Sequence, residues 1–267
     1  MKIVTYNING VVNRLPLLLS WLERTAPDVV CLQELKTDAK RFPSAALREA
    51  GYGAAWVAEG SYNGVAVLTR DGEPLITRRE LPGDSSDKQP RYIEAAVAGV
   101  LIGCLYAPNG NPQPGPRFDY KLAWLQRLHA HAQALLAAKV PVVLAGDYNV
   151  VPTERDMYAS KSSWRNDALV QPEPRARFRR LLDLGYTDAL HSLHPDEPLY
   201  TFWDYKRFGW ERGHGLRIDH FLLSPALAPR LVSGGVEHAE RALEGASDHA
   251  PAWIELAAAD RVSARLE

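Results

Sequence analysis

The chain has 267 residues and carries 31 Lys and Arg against 32 Asp and Glu, a formal net charge of −1. With 46% hydrophobic and 24% charged residues, the composition excludes a disordered or fibrous chain. The balanced charge excludes a global pull toward nucleic acid but leaves room for a local basic face.

In chain order, residues 2–6 read as a strand, and Pro16 opens a helix in which Leu15, Leu18, Leu19 and Leu22 recur at helical spacing before Pro27 stops it. Residues 29–33 and 65–69 are short apolar strands. Residues 92–98 and 100–106, hinged at Gly99, read as an antiparallel hairpin. A long helix is predicted over 118–138, with Phe118, Leu122, Leu125, Ala132 and Leu136 on its buried face. Residues 141–145 form a buried strand that runs into Gly146-Asp147. A short helix follows over 175–184, with Phe178, Leu181 and Leu182 inward and Gly185 at its end. The last strands are 218–223 and 251–256, while 107–117 and 153–174 read as surface loops. This mixture of strands, helices and hairpins predicts a layered α/β domain over 1–257 with a peripheral tail over 258–267.

No apolar run reaches the ~18 residues that a membrane span needs. Asn7 and Asn9 break the apolar stretch after Lys2, so neither a span nor a secretory leader is expected. Cys31 and Cys104 both sit inside apolar strands and read as buried thiols of a cytoplasmic protein.

Polar residues gather at the ends of the apolar strands. They are Asn7 and Asn9; Gln33-Glu34; Tyr106 and Asn109; Asp147 and Asn149; Asp219-His220; and Asp248-His249. Strand mouths are where α/β folds assemble sites. Carboxylates and carboxamides without cysteine are hard oxygen donors, suited to Mg²⁺ or Mn²⁺. With a histidine beside them they suit metal-assisted phosphoryl chemistry.

The ordered stretches Asn7-Ile-Asn-Gly10, Leu32-Gln-Glu34-Leu-Lys36, Tyr106-Ala-Pro-Asn109, Gly146-Asp-Tyr-Asn-Val150, Gly215-Leu-Arg-Ile-Asp219 and Ser247-Asp-His-Ala-Pro251 resemble the signatures of the exonuclease III family of AP endonucleases. Tyr200-Thr-Phe-Trp-Asp-Tyr205 strengthens the likeness to the nucleic-acid branch of the endonuclease/exonuclease/phosphatase superfamily. The resemblance implies a four-layered α/β sandwich, with two mixed β-sheets packed face to face and flanked by helices. It implies a Mg²⁺-dependent DNA repair phosphodiesterase, with Mn²⁺ as substitute. Such an enzyme cleaves duplex DNA 5′ to abasic sites or acts as a 3′-5′ exodeoxyribonuclease, and is expected to be monomeric.

Carried over residue by residue, the resemblance makes Glu34 the main metal ligand, with Asn7 and Asp248 beside the ion. Asp147 orients or deprotonates the attacking water, and Asn149 and His249 donate to phosphoryl oxygens. Asp219 pairs with His249, and Tyr106 contacts the scissile phosphate or assists the leaving group. Two alternatives stay open: Tyr106 as the base, and Asp147, Asn149 and His249 as ligands of a second ion. Asn9 and Asn109 are implied substrate contacts, and Phe202, Leu216 and Ile218 an apolar wall for an extruded abasic sugar. The chain departs from the family in two loops. Val11-Val-Asn13 precedes Arg14, and the 109–116 loop lacks the arginine that some members insert into the duplex.

Other residues read as packing or surface. His220 alternates away from Asp219 into the interior, while His129, His131 and His238 read as exposed. Arg175, Arg177, Arg179 and Arg180 read as a solvated helix face, and Trp21, Trp124 and Trp253 as core.

Overall fold

The computed structural model describes residues 1–70, 72–158 and 164–258. Apart from residue 258, the expected C-terminal tail lies outside the described residues. Side-chain alternation along the central strands decides the layering. In β1 (Lys2–Asn7), β2 (Val29–Gln33) and β4 (Tyr62–Arg70), Ile3, Val29, Cys31, Val65 and Val67 face one way. Val4, Val30, Leu32, Ala66 and Leu68 face the other. Both sets are buried, which is why these strands read as continuous apolar runs.

β1, β2, β3 (Tyr52–Glu59), β4, β11 (Leu231–Val236) and β12 (Ala252–Leu256) form one sheet in the order β11-β12-β1-β2-β4-β3. The second contains β5 (Leu75–Arg78), β6 (Tyr92–Val97), β7 (Val100–Tyr106), β8 (Val142–Asp147), β9 (Thr187–Asp188) and β10 (Asp219–Leu223), in the order β5-β6-β7-β8-β10-β9. The first sheet's inner face packs on Ile93, Ile102, Cys104, Val143, Ala145 and Phe221 of the second. Outside the first sheet, α1 (Leu15–Thr25) lays Leu18, Trp21 and Leu22 on Val4 and Val30. Outside the second, α3 (Pro116–Ala137) and α4 (Pro172–Asp183) lay Trp124, Leu125, Leu128, Phe178 and Leu181 on Leu105, Val142, Leu144 and Leu222. Each such fully buried side chain contributes about 1.5–3 kcal/mol of burial. Helix, sheet, sheet and helix make the four layers expected.

Strand direction positions the site. β1 runs parallel to β2, and β7 parallel to β8, so each pair ends on the same side. β12 is antiparallel to β1, and β10 to β8, so their starting residues come to that side too. The register sets Asp219 opposite Asp147, and Asp147 beside Tyr106.

Several expectations are corrected. Short or glycine-bearing edge elements were missed: β3, β5, β9, β11 and the short helices α2 (Ser44–Glu49), α5 (Ala189–Leu193) and α6 (His238–Arg241). α4 begins at Pro172, three residues before the sequence signal, because prolines in a first turn forfeit only N–H groups that lack helical partners anyway. Arg175 and Arg177 do not form a free face; they donate to the carbonyls of Val151 (2.9 Å) and Leu122 (3.0 Å). His131 is buried, bonded to Glu94 and edge-on to the Tyr92 ring. Trp253 is half-buried, with Lys2 over its ring. Cys31 and Cys104 are buried and unpaired. Among the described residues no helix is long and apolar enough to cross a membrane.

Gly146 stands where β8 meets the site. A Cβ there would lie 1.9 Å from the Leu105 carbonyl oxygen. Gly146→Ala is therefore expected to cost about 3 kcal/mol, the top of the overpacking range. Urea denaturation checks this, and a shift below about 1 kcal/mol would contradict the close approach.

Candidate active site

Asn7 closes β1 and joins the two sheets. Its fully buried amide donates to Glu34 Oε1 (2.9 Å) and Asp147 Oδ2 (3.0 Å). Glu34, just past β2, has φ +53° and takes a second bond from the Tyr106 hydroxyl (2.9 Å). Its other oxygen pairs with Lys36 Nζ at 2.6 Å. Asp147 ends β8 and accepts the Asn149 backbone N–H at 2.8 Å. From the β12 side, Ser247 Oγ donates to the Asn7 carbonyl (2.6 Å) and accepts the His249 N–H (3.2 Å). His249 Nδ1 meets Asp219 Oδ2 at 2.8 Å, leaving Nε2 facing Asp147 Oδ2 at 3.8 Å. Glu34, Asp147 and His249 each offer an atom within 4.8 Å of the others, a spacing that could hold a metal ion.

The cluster is heavily charged for its burial. Burial disfavours the His249 imidazolium, but Asp219, Asp147 and Asp248 outweigh it and lift its pKa to about 10. Burial and the neighbouring Asp219 push Asp147 up to about 7. Burial also opposes ionisation of Glu34, yet Lys36 and the Asn7 amide hold its carboxyl below the usual value. Burial and Glu34 raise the Tyr106 phenol well above its ordinary value, so at neutral pH it is a proton donor. Asp219 Oδ1 is buried without a hydrogen-bond partner, while its Oδ2 is the atom that meets His249.

The fold brings Asn7, Glu34, Tyr106, Asp147, Asn149, Asp219 and His249 together. Asp248 stands apart from the ligand triplet, half-buried and bonded to the Asn9 amide at 2.9 Å. Asn9 Oδ1 in turn accepts from Lys36 (2.5 Å), and Asn109 donates to Asn149 Oδ1 (3.2 Å). The Asn149 amide is spent inward, on the Ala107 carbonyl (2.9 Å) and Asp147 (3.4 Å), and not on the open side expected of a phosphate donor. Phe202 is partly exposed, its ring centroid 5.0 Å from that of His249. Leu216 and Ile218 are 0% and 1% exposed, so they support Phe202 from behind and present no wall of their own. His220 is a packing residue as expected. Burial and Arg217 push it down to about 4, and it bridges Arg217 (3.0 Å) to the Val150 carbonyl (3.0 Å).

Two participants escaped the sequence reading. Arg91 lies 4.8 Å over the Tyr106 ring and donates to its carbonyl. Lys121 lies fully buried beneath Asn149. Burial pushes its ammonium down to about 7, against Asp167 and Asp147. The readable signal was a lysine in the apolar stripe of α3, three residues after Phe118 and three before Trp124.

A four-layered sandwich with hard donors at its strand mouths is the architecture of a phosphoesterase class. Residues 4–249 match the Endonuclease/Exonuclease/phosphatase family, and the chain belongs to it. It is 34% identical to the exodeoxyribonuclease III of Haemophilus influenzae, over 96% of this chain and 99% of that relative. Among solved structures it resembles a 3′-5′ exonuclease of Neisseria meningitidis (TM-score 0.93, 38% identity, 97% of this chain and 100% of that one). It also resembles an AP endonuclease of Archaeoglobus fulgidus (TM-score 0.90, 32% identity, 96% and 99%).

The electrostatics can be tested through stability. A carboxyl raised from 3.8 to about 7 in the folded state binds its proton more tightly folded than unfolded. Its contribution therefore declines as pH rises through that window. In EDTA, Asp147→Asn is expected to raise Tm by about 5 °C at pH 8, with the gap narrowing toward pH 4. Calorimetry at both pH values checks this, and a constant gap would contradict it. The Asp219–His249 contact generates a second expectation. Asp219→Ala and His249→Ala should be strongly non-additive in log kcat when combined; additive losses would mean independent roles.

Proposed function

We propose that this chain is a Mg²⁺-dependent DNA repair phosphodiesterase that cuts duplex DNA 5′ to abasic sites and degrades it from 3′ ends. The observation that carries this reading is the convergence of Glu34, Asp147 and His249 within 4.8 Å at the mouth where both sheets end. The site fits a hard divalent cation, since the carboxylates of Glu34 and Asp147, both held by the Asn7 amide N–H groups, present oxygen donors close to one another. Glu34 would hold the ion, with Asn7 keeping both carboxylates aimed. A bound Mg²⁺ supplies Lewis-acid polarisation of a phosphoryl oxygen.

The residues of the chain do the rest. Asp147 Oδ2 orients the attacking water and accepts its proton, a role suited to a carboxyl poised near 7. His249, held as an imidazolium through Nδ1 by Asp219, presents Nε2–H to a phosphoryl oxygen as charge develops. Tyr106 keeps its proton and so donates, leaving Asp147 as the base. Asn149 fixes Asp147 from behind through its backbone N–H. The Phe202 ring beside His249 offers the apolar surface for a sugar without its base.

The purified protein is to be incubated with Mg²⁺ and four substrates: abasic duplex, blunt duplex, single-stranded RNA and phospholipid vesicles. EDTA controls accompany each. Cleavage confined to the two DNA substrates and abolished by EDTA is expected. Glu34→Ala should lower turnover at least about 100-fold, within the span of a metal-charge contribution, with partial recovery in excess Mn²⁺. Wild-type turnover by Glu34→Ala, or equal cleavage of RNA, would overturn the reading.

A further inference from the structure

α3 packs its apolar stripe on the second sheet, and within that stripe Lys121 is 0% exposed. Packing alone does not ask for a charge there. A methionine would fill the same space between Phe118 and Trp124, and an ammonium taken out of water is unfavourable unless each donor is met. Here each donor is met. Nζ donates to the carbonyl oxygens of Asn109 (3.0 Å), Asn149 (2.6 Å) and Ala168 (3.0 Å), three donors on three acceptors. The acceptors lie on three different segments: the loop leaving β7, the loop leaving β8, and the stretch before α4.

The shortest of these bonds falls on Asn149, which sits at φ +51°. Its N–H is aimed at Asp147 Oδ1 (2.8 Å), and its side chain bridges the Ala107 carbonyl and Asn109. A non-glycine residue in this conformation holds it only if its surroundings over-determine it. The passage for the lysine stem is provided as well. A Cβ on Gly110, at φ +92°, would lie 2.7 Å from Lys121 Cδ and 3.1 Å from the Ala168 Cβ.

We propose that Lys121 is a positioning residue for hydrolysis, its ammonium fixing the Asn149 carbonyl and through it the aim of Asp147. This rests on the reading of Asp147 and Asn149 as parts of the active site. Lys121 touches no substrate, and its effect belongs to turnover more than to DNA affinity.

The test compares kcat and KM, per folded molecule by circular dichroism, for wild type, Lys121→Met, Gly110→Ala and Asn149→Ala. The probe is a labelled duplex with one tetrahydrofuran abasic site, in Mg²⁺. Lys121→Met removes the donors and keeps the stem, whereas Gly110→Ala displaces the ammonium and keeps the charge. Each is expected to lower kcat by about 10–100-fold, the usual effect of losing a group that orients a ligand, with KM within threefold of wild type. Either variant, recovered folded with kcat within twofold of wild type while Asn149→Ala is slow, would overturn the clamp and leave the site reading intact. Wild-type turnover by Asn149→Ala would overturn the site reading itself. If Lys121→Met does not fold, Gly110→Ala alone decides.

Discussion

A buried carboxylate held against a buried imidazole sets the charge of everything around it. Asp219 and His249 meet at 2.8 Å with almost no solvent contact, where charges interact far more strongly than in water. One imidazolium therefore faces Asp219, Asp147 and Asp248, with Glu34 close by, and cannot neutralise them all. The remaining strain shows in Asp147, whose proton is retained to about pH 7, and in the unpartnered Asp219 Oδ1. A divalent cation held by Glu34 would offset the negative charge that surrounds Asp147.

The fold tolerates this cluster because it is assembled from both sheets at once. Each sheet contributes a parallel strand pair and an antiparallel neighbour that starts where the pair ends. Asn7 from one sheet and Asp147 from the other bond directly across the seam. Rearranging the site thus requires moving strands whose side chains are buried on both faces. Backbone strain concentrates in the same place. Asn9, Glu34, Lys36 and Asn149 all have positive φ, at a cost on the order of 1 kcal/mol or more each, and all four lie just beyond a strand end.

How much of this was legible follows from the same physics. Strands buried on both faces produce unbroken apolar runs, so β1, β2, β7, β8, β10 and β12 and the polar residues at their mouths could be read directly. Edge strands could not. β3 carries Gly53 and three alanines, and β11 carries two adjacent glycines, which dilute the strand signal of their valines and aromatics. His131 and Lys121 were hidden for a different reason. Each is a polar residue on a helix whose burial depends on a partner distant in sequence, Glu94 for one and three loop carbonyls for the other. The Asn149 amide, expected to donate to a phosphoryl oxygen, here donates to the Ala107 carbonyl, and letters do not say which way an amide hydrogen points.

That direction changes how the site divides its work. With the Asn149 amide turned inward and Lys121 beneath it, the β8 mouth ties Asp147 to the loops leaving β7 and β8. Positive character toward an incoming phosphate must then come from elsewhere. His249 Nε2 faces Asp147 Oδ2 across the mouth, the Tyr106 hydroxyl donates to Glu34 Oε1, and the Arg91 guanidinium lies over the Tyr106 ring. These three approach from β12, from β7 and from the segment before β6, surrounding the point that Glu34 and Asp147 face. A phosphodiester could not approach the carboxylates alone without strong repulsion. At the rim it meets the His249 imidazolium and the Arg91 guanidinium, and a cation held by Glu34 would lower that repulsion further.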